Sequence, residues 1–264
     1  MSGVLARILA KKREEIPALR AAPSPPPQRA RPGLLDALRR RPGEPLRLFC
    51  EIKPRSPSAG DLSRALAPEG RALAYARGGA ALISVLTDAP FFGGSFANLA
   101  ACRAALDAEM GEARPFLLCK EFVIDEVQLD HAIGAGADAV LLIVRCLDAE
   151  ALPRLTRAAE ERGLVPLVEV ATMEELDRAR EAGARFVGVN ARDLDTLAMD
   201  PARAAEVLAA IDCGTVAAHL SGLRGPADVA QVAAGRADAA LIGEALMRLD
   251  DPRALLAALL AAAG

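Results

Sequence analysis

Tryptophan is absent from this chain, tyrosine occurs once, and only seven phenylalanines stand among 264 residues. Any core must therefore be assembled from Ala, Leu and Val, and a hydrophobic content of 52 % is enough for a sizeable one. No apolar h-region opens the sequence and no apolar run approaches about 18 residues. That predicts a cytoplasmic protein with no membrane partner. A large excess of charge is missing too: a formal net charge of −3 argues against a nucleic-acid partner. The two histidines, His131 and His219, belong to no cluster with metal-ligand spacing, so no metal is expected. The five cysteines, Cys50, Cys102, Cys119, Cys146 and Cys213, form no CxxC pair and are odd in number. They read as free buried thiols in a reducing compartment.

What the chain does have is rhythm. Residues Leu5 to Leu19 read as an amphipathic helix with a basic face from Lys11 to Arg13. Ala22 to Pro32, rich in Pro and Arg, reads as a linker, and Leu34 to Arg41 as a second short helix. From residue 46 onward apolar runs alternate with helical segments. Gly79, Gly136, Gly183 and Gly235 each precede a strand and mark helix ends, where glycine takes the left-handed cap. The strands that follow are Leu82 to Leu86, Ala139 to Val144, Phe186 to Val189 and Ala239 to Ile242. Between them lie Leu46 to Lys53, Phe116 to Lys120, Val165 to Val170 and Thr215 to Leu220. Eight strands at about 25 residues per unit predict a parallel sheet closed as an α/β, (β/α)8 TIM barrel over residues 46–264. Residues 1–45 form a helical amino-terminal extension and linker. An open doubly wound sheet is the alternative, but it usually needs a Gly-rich first turn, and Lys53 to Ser58 is not one.

Several strands end on groups that are costly to bury: Glu51 and Lys53, Lys120, Glu169, and Asn190. In a parallel barrel all strand C-termini open on one face, so these residues can converge. Side-chain alternation puts Glu51 and Lys53 on one side of the first strand. A rim ion pair explains that pair alone, but four ionisable groups at strand ends are hard to explain as structure. An ammonium partly withdrawn from water, as at Lys120, suits a general acid. Ser221-Gly222 and Gly243-Glu244 follow the last two strands, where this fold usually cradles phosphate. Phe91-Phe92-Gly93-Gly94-Ser95 can line an apolar pocket or serve as core packing.

These residues also carry a resemblance. Glu51-Ile52-Lys53-Pro54-Arg55-Ser56-Pro57-Ser58-Ala59-Gly60 is similar to the E-I-K-x-x-S-P-S-x-G signature of the indole-3-glycerol phosphate synthase family. Ser84 to Thr87 with Phe92 to Ser95, then Leu118 to Phe122, Leu167 to Val170, Asn190 to Leu194 and Leu241 to Met247 continue it in the family's order. The match runs from about Leu5 to Leu259. It implies ring closure, with loss of carbon dioxide and water, of 1-(2-carboxyphenylamino)-1-deoxyribulose 5-phosphate in tryptophan biosynthesis. No cofactor or metal is implied, and contact with other enzymes of that pathway is possible in such a family. The resemblance implies Lys120 as general acid, Glu169 and Glu51 in later proton transfers, Lys53 on the substrate carboxylate and Asn190 on a hydroxyl. Phe92 and Phe122 would pack the aromatic ring, with Arg192 and Leu220 also at the substrate. Ser56, Ser221, Gly222, Gly243 and Glu244 would hold the phosphate.

The chain departs from the family at three places. Leu220-Ser221-Gly222 stands where the family has E-S-G, so a carboxylate is lost. Asn190-Ala191-Arg192 replaces N-N-R, and the amino-terminal segment lacks a covering aromatic. Two other readings stay open on the sequence. One is a different phosphate-binding barrel that uses Cys50 at a strand end. The other is a non-catalytic or altered-substrate paralogue.

Overall fold

The computed structural model describes residues 3–23, 25–57, 60–63 and 65–264. Ser58 and Ala59 of the opening signature lie outside them. Eight parallel strands close on themselves. They are β1 (Arg47–Ile52), β2 (Leu82–Leu86), β3 (Phe116–Lys120), β4 (Ala139–Ile143), β5 (Val165–Val170), β6 (Phe186–Val189), β7 (Val216–His219) and β8 (Ala239–Ile242). Each strand pairs with its sequence neighbours, and β1 closes the ring against β8 with Cys50 opposite Ile242. Helices alternate with the strands, as the sequence rhythm predicts. Gly79, Gly136 and Gly183 take the left-handed conformation, with φ of 91°, 89° and 77°. Gly235 does not, although its helix ends in the same way, with the Ala234 N–H bonded back to Ala230.

Side-chain parity divides the core into two layers. Phe49, Leu82, Leu118, Leu141, Leu167 and Leu241 fill the barrel interior. Their neighbours Cys50, Ile83, Leu117, Val140, Val168 and Ile242 face outward against the helices. Phe49 and Phe186 meet edge to face in the interior, with ring centroids 6.1 Å apart. Ala139, Ala218 and Ala239 belong to the same interior layer, and α2 (Leu34–Leu38) adds Leu34 and Leu38 to it. Small strand residues are matched by leucines supplied from outside the sheet, so few aromatics are needed to fill the space.

The amino-terminal extension wraps the barrel from end to end. Its first helix, α1 (Val4–Ala21), presents Val4, Leu5 and Ile8 to the cavity at the strand C-termini. It then descends along the helix Glu126–Gly134, where the Leu19 carbonyl meets His131 Nε2 at 3.1 Å. Beneath the barrel, Asp138 accepts from the Arg31 N–H at 2.7 Å, and Asp238 accepts from the Arg40 N–H at 3.0 Å. Helix α2 ends at Leu38, not Arg41 as the sequence suggested. Arg39 and Arg40 leave it to donate to the carbonyls of Cys213, Gly214, Ala233 and Gly235. The expected basic face of α1 is corrected as well: Lys12 points inward and is 2 % exposed.

Cys50, Cys102 and Cys119 are buried as free thiols, Cys146 is half-buried, and Cys213 is exposed, contrary to its expected burial. Burial alone pushes the Cys50 thiol well up from its ordinary value. Its outward parity turns it toward the helices, so the reading that used Cys50 at the barrel mouth is set aside.

Candidate functional site

Each polar residue of the site continues an interior column of side chains by two positions. Phe49 leads to Glu51 and Lys53, Leu118 to Lys120, Leu167 to Glu169, Gly188 to Asn190, and Leu241 to Gly243. Parity alone therefore aims them inward at the open end. There they line a cavity of about 780 Å³ whose remaining wall is largely apolar. Every site residue expected from the sequence lies on this cavity.

Its centre is a buried carboxylate between two ammoniums. Lys53 Nζ lies 2.5 Å from Glu51 Oε1, and Lys120 Nζ lies 3.4 Å from Glu51 Oε2. Burial would raise the Glu51 carboxyl, but Lys53 and then Lys120 outweigh it and hold it below the ordinary carboxylate range. Glu169 is the opposite case. Burial raises its carboxyl, and neither Lys120 nor the Asn190 hydrogen bond brings it back down. The cavity thus holds one carboxylate kept ionised and one biased toward its protonated form, the division of labour that acid–base chemistry needs.

Asn190 is itself held from behind. Its amide donates to Glu169 Oε1 at 2.9 Å, while its Oδ1 accepts from Ser221 Oγ at 2.7 Å and the Arg192 N–H at 2.9 Å. Two donors on Oδ1 fix which way the amide faces. Ser221 therefore serves Asn190 through its hydroxyl, a link no sequence spacing could show. Gly243 packs so closely on the carboxylate that an added Cβ would stand 2.5 Å from Glu51 Oε1. Only glycine fits at that approach.

Leu220 is 3 % exposed and turns into the mouth, against the face of Gly188. His219 turns the other way, its Nε2 on the Ser221 carbonyl at 2.7 Å. Burial lowers its pKa, so it does not replace the missing carboxylate with a charge. At the opposite wall, Asp88 caps the short helix Ala89–Phe92 by accepting from the N–H groups of Phe91 and Phe92. That cap sets Phe92 5.8 Å from Phe122, centroid to centroid. The roof residues Val4, Leu5 and Ile8 were not singled out by the sequence, although their apolar spacing was visible.

Fold and site together define a (β/α)8 barrel whose strand C-termini gather carboxylates and ammoniums around one cavity, with Gly222 and Gly243 on its wall. Within that class the chain belongs to the indole-3-glycerol phosphate synthase family, whose model matches residues 5–259. It is 44 % identical over 220 residues to the indole-3-glycerol phosphate synthase of Streptomyces griseus, covering 83 % of this chain and 79 % of the relative. The Mycobacterium leprae enzyme of that name is 42 % identical over 235 residues, covering 88 % and 83 %. Among solved structures, a 3-hexulose-6-phosphate synthase superposes with a TM-score of 0.61 at 20 % identity. It covers 83 % of this chain and all of that one, a likeness of fold.

Proposed function

We propose that the chain acts as a carboxy-lyase of tryptophan biosynthesis. It closes the indole ring of 1-(2-carboxyphenylamino)-1-deoxyribulose 5-phosphate to give indole-3-glycerol phosphate, carbon dioxide and water. Family membership supports this reading. The observation that carries it at the level of residues is the Lys53–Glu51–Lys120 cluster facing Glu169 inside an apolar cavity. The substrate's ring carbon attacks the ribulose carbonyl, whose oxygen gathers negative charge. Lys120 supplies the proton there, and Glu51 holds its ammonium in place. Lys53 pairs with the substrate carboxylate until it leaves as carbon dioxide. Glu169 and Glu51 then carry the proton transfers that accompany loss of water, and Asn190 holds a hydroxyl while orienting Glu169. Phe92 and Phe122 take the aromatic ring, with Arg192 and Leu220 beside it. Ser56, Ser221, Gly222, Gly243 and Glu244 form the phosphate end. The reading places the protein in the cytoplasm, in possible contact with other enzymes of the pathway. No helix among the described residues is long and apolar enough to cross a membrane. Incubating the purified protein with this substrate and following indole fluorescence tests the reaction directly. A folded protein that gives no signal would sink it.

The phosphate end yields a separate expectation. Gly222, at φ 90°, follows β7, and the helix Glu244–Met247 begins on the same cavity, its first N–H groups lacking partners within the helix. Crystals grown in phosphate should show the anion between Ser221-Gly222 and Gly243-Glu244. Inorganic phosphate should also inhibit competitively. Ordered crystals with no density there would remove the assignment.

Leu220 gives a third expectation. Restoring the family's carboxylate with Leu220→Glu should raise turnover on this substrate about tenfold, the scale of one hydrogen bond to a charged group. A buried Glu without a partner costs stability, so Tm must be measured beside the rate. A well-folded variant with no gain would mean that the pocket has been rebuilt around leucine.

A further inference from the structure

Lys12 stands outside every assignment above. Its ammonium lies 2.8 Å from Asp88 Oδ2, 3.1 Å from Glu121 Oε1 and 2.8 Å from Glu15 Oε2. Glu15 is a neighbour on the same helix and is part-exposed. The other two carboxylates belong to the barrel rim and are buried. Each has a second task. Asp88 Oδ1 accepts from the N–H groups of Phe91 and Phe92, at 2.8 and 3.1 Å. Glu121 Oε1 accepts from the N–H of Phe122 at 2.8 Å, and its Oε2 accepts from Thr87 Oγ1 at 2.9 Å. One ammonium therefore touches both side chains that hold the backbone of the two cavity rings. Without it, the buried Asp88 carboxylate would stand beside Glu121 with no counter-charge. The same helix carries Val4, Leu5 and Ile8 over the cavity.

We propose that Lys12 is a positioning residue for the aromatic end of the substrate, tying the docking of the amino-terminal helix to the placement of Phe92 and Phe122. The proposal rests on the reading of those rings as the aromatic subsite. It makes the extension a working part of the site: the helix closes the cavity and sets the spacing of the two rings through a single cation. It also explains why a lysine is buried on a helix face that could have been wholly apolar. Burial works against the ammonium, but Glu121, Asp88 and Glu15 outweigh it and hold Lys12 above the ordinary lysine range.

The test compares wild type with Lys12→Met in two measurements. In steady-state kinetics, KM for the ribulose phosphate substrate should rise about tenfold. The kcat should stay within a few-fold and the inhibition constant of inorganic phosphate should not move, because the phosphate end does not touch Lys12. In fluorine spectra of protein labelled with 4-fluorophenylalanine, the signals of Phe92 and Phe122 should shift and broaden. Those of Phe49 and Phe186, inside the barrel, should hold. A folded Lys12→Met protein with wild-type KM and four unchanged signals overturns the proposal. If Lys12→Met does not fold, Lys12→Met/Asp88→Asn removes the charge left without a partner and keeps the helix cap. Burial biases Glu121 toward its neutral acid despite Lys12, so that variant holds no forced excess of charge. It should show the same selective changes, and a return to wild-type KM and spectrum would mean that Lys12 only balances charge. A wild-type protein with no turnover would sink the reaction, while the spectra still decide the role of Lys12.

Discussion

Lys120→Ala is expected to lower turnover by about a hundredfold or more, the range for losing a positioned general acid. That is about 2.7 kcal/mol of barrier, at about 1.4 kcal/mol per factor of ten. KM should move much less. Lys120 approaches Glu51 at 3.4 Å, and Lys53 still neutralises that carboxylate at 2.5 Å when Lys120 is removed. The buried acid is therefore not left without a counter-charge, and the variant should fold. Steady-state kinetics beside a melting curve separates the two effects. Turnover within a few-fold of wild type, in a protein of unchanged Tm, would mean that another group delivers the proton.

Glu169→Gln should cost turnover on a similar scale and raise stability at the same time. Gln keeps the shape and an oxygen for the Asn190 amide, so binding should largely survive. The stability effect follows from linkage. Burial lifts the Glu169 carboxyl above its ordinary value in the folded protein. Between the ordinary carboxylate range and that raised value, the folded state keeps a proton that the unfolded chain releases. Stability therefore falls as pH rises through this window. Gln has no proton to lose, so the variant should melt higher than wild type near neutral pH. The gap should close in acid, below the unfolded carboxyl's range, where both states carry the proton. Glu51 has the opposite sign: its contribution is present above the unfolded value and is lost as pH falls through its depressed one. Tm measured for both proteins from acid to neutral pH tests the first claim. Coinciding curves throughout would show that burial of Glu169 imposes no strain on the fold.

Much of this site could be read before the structure because barrels translate parity into direction. Once Phe49, Leu118 and Leu167 are taken as interior, Glu51, Lys120 and Glu169 must point the same way, and the parallel strands must bring their ends to one face. Strand edges were displaced by a residue: β1 stops at Ile52 and β7 at His219, where the chain turns out to form the loops. What stayed hidden was held together by residues distant in sequence. Lys12 looks like any solvated lysine of a surface helix, because its partners Asp88 and Glu121 lie on two other loops. The glycine at 243 gives no sign that a carboxylate leans on it. Ser221 reads as a phosphate ligand, while its hydroxyl is engaged with Asn190. Local pattern carries strands and their facing; it does not carry tertiary pairs.

The wrapping extension has a consequence for how the molecule is made. Its anchors reach far along the polypeptide: Arg31 to Asp138, Lys12 to Asp88 and Glu121, Arg40 to Asp238. Leu46 bonds to the carbonyl of Ala263, beyond the last barrel strand. A ribosome releases residues 3–45 before any of these partners exists, and Ala263 emerges only after all eight strands have been made. The cover is thus born long before the vessel it closes. Its leucines and its buried lysine must wait in water, and contacts of such separation form slowly. No nascent fragment short of β8 can hold a finished cavity, so catalytic competence arrives in one late step and not by instalments.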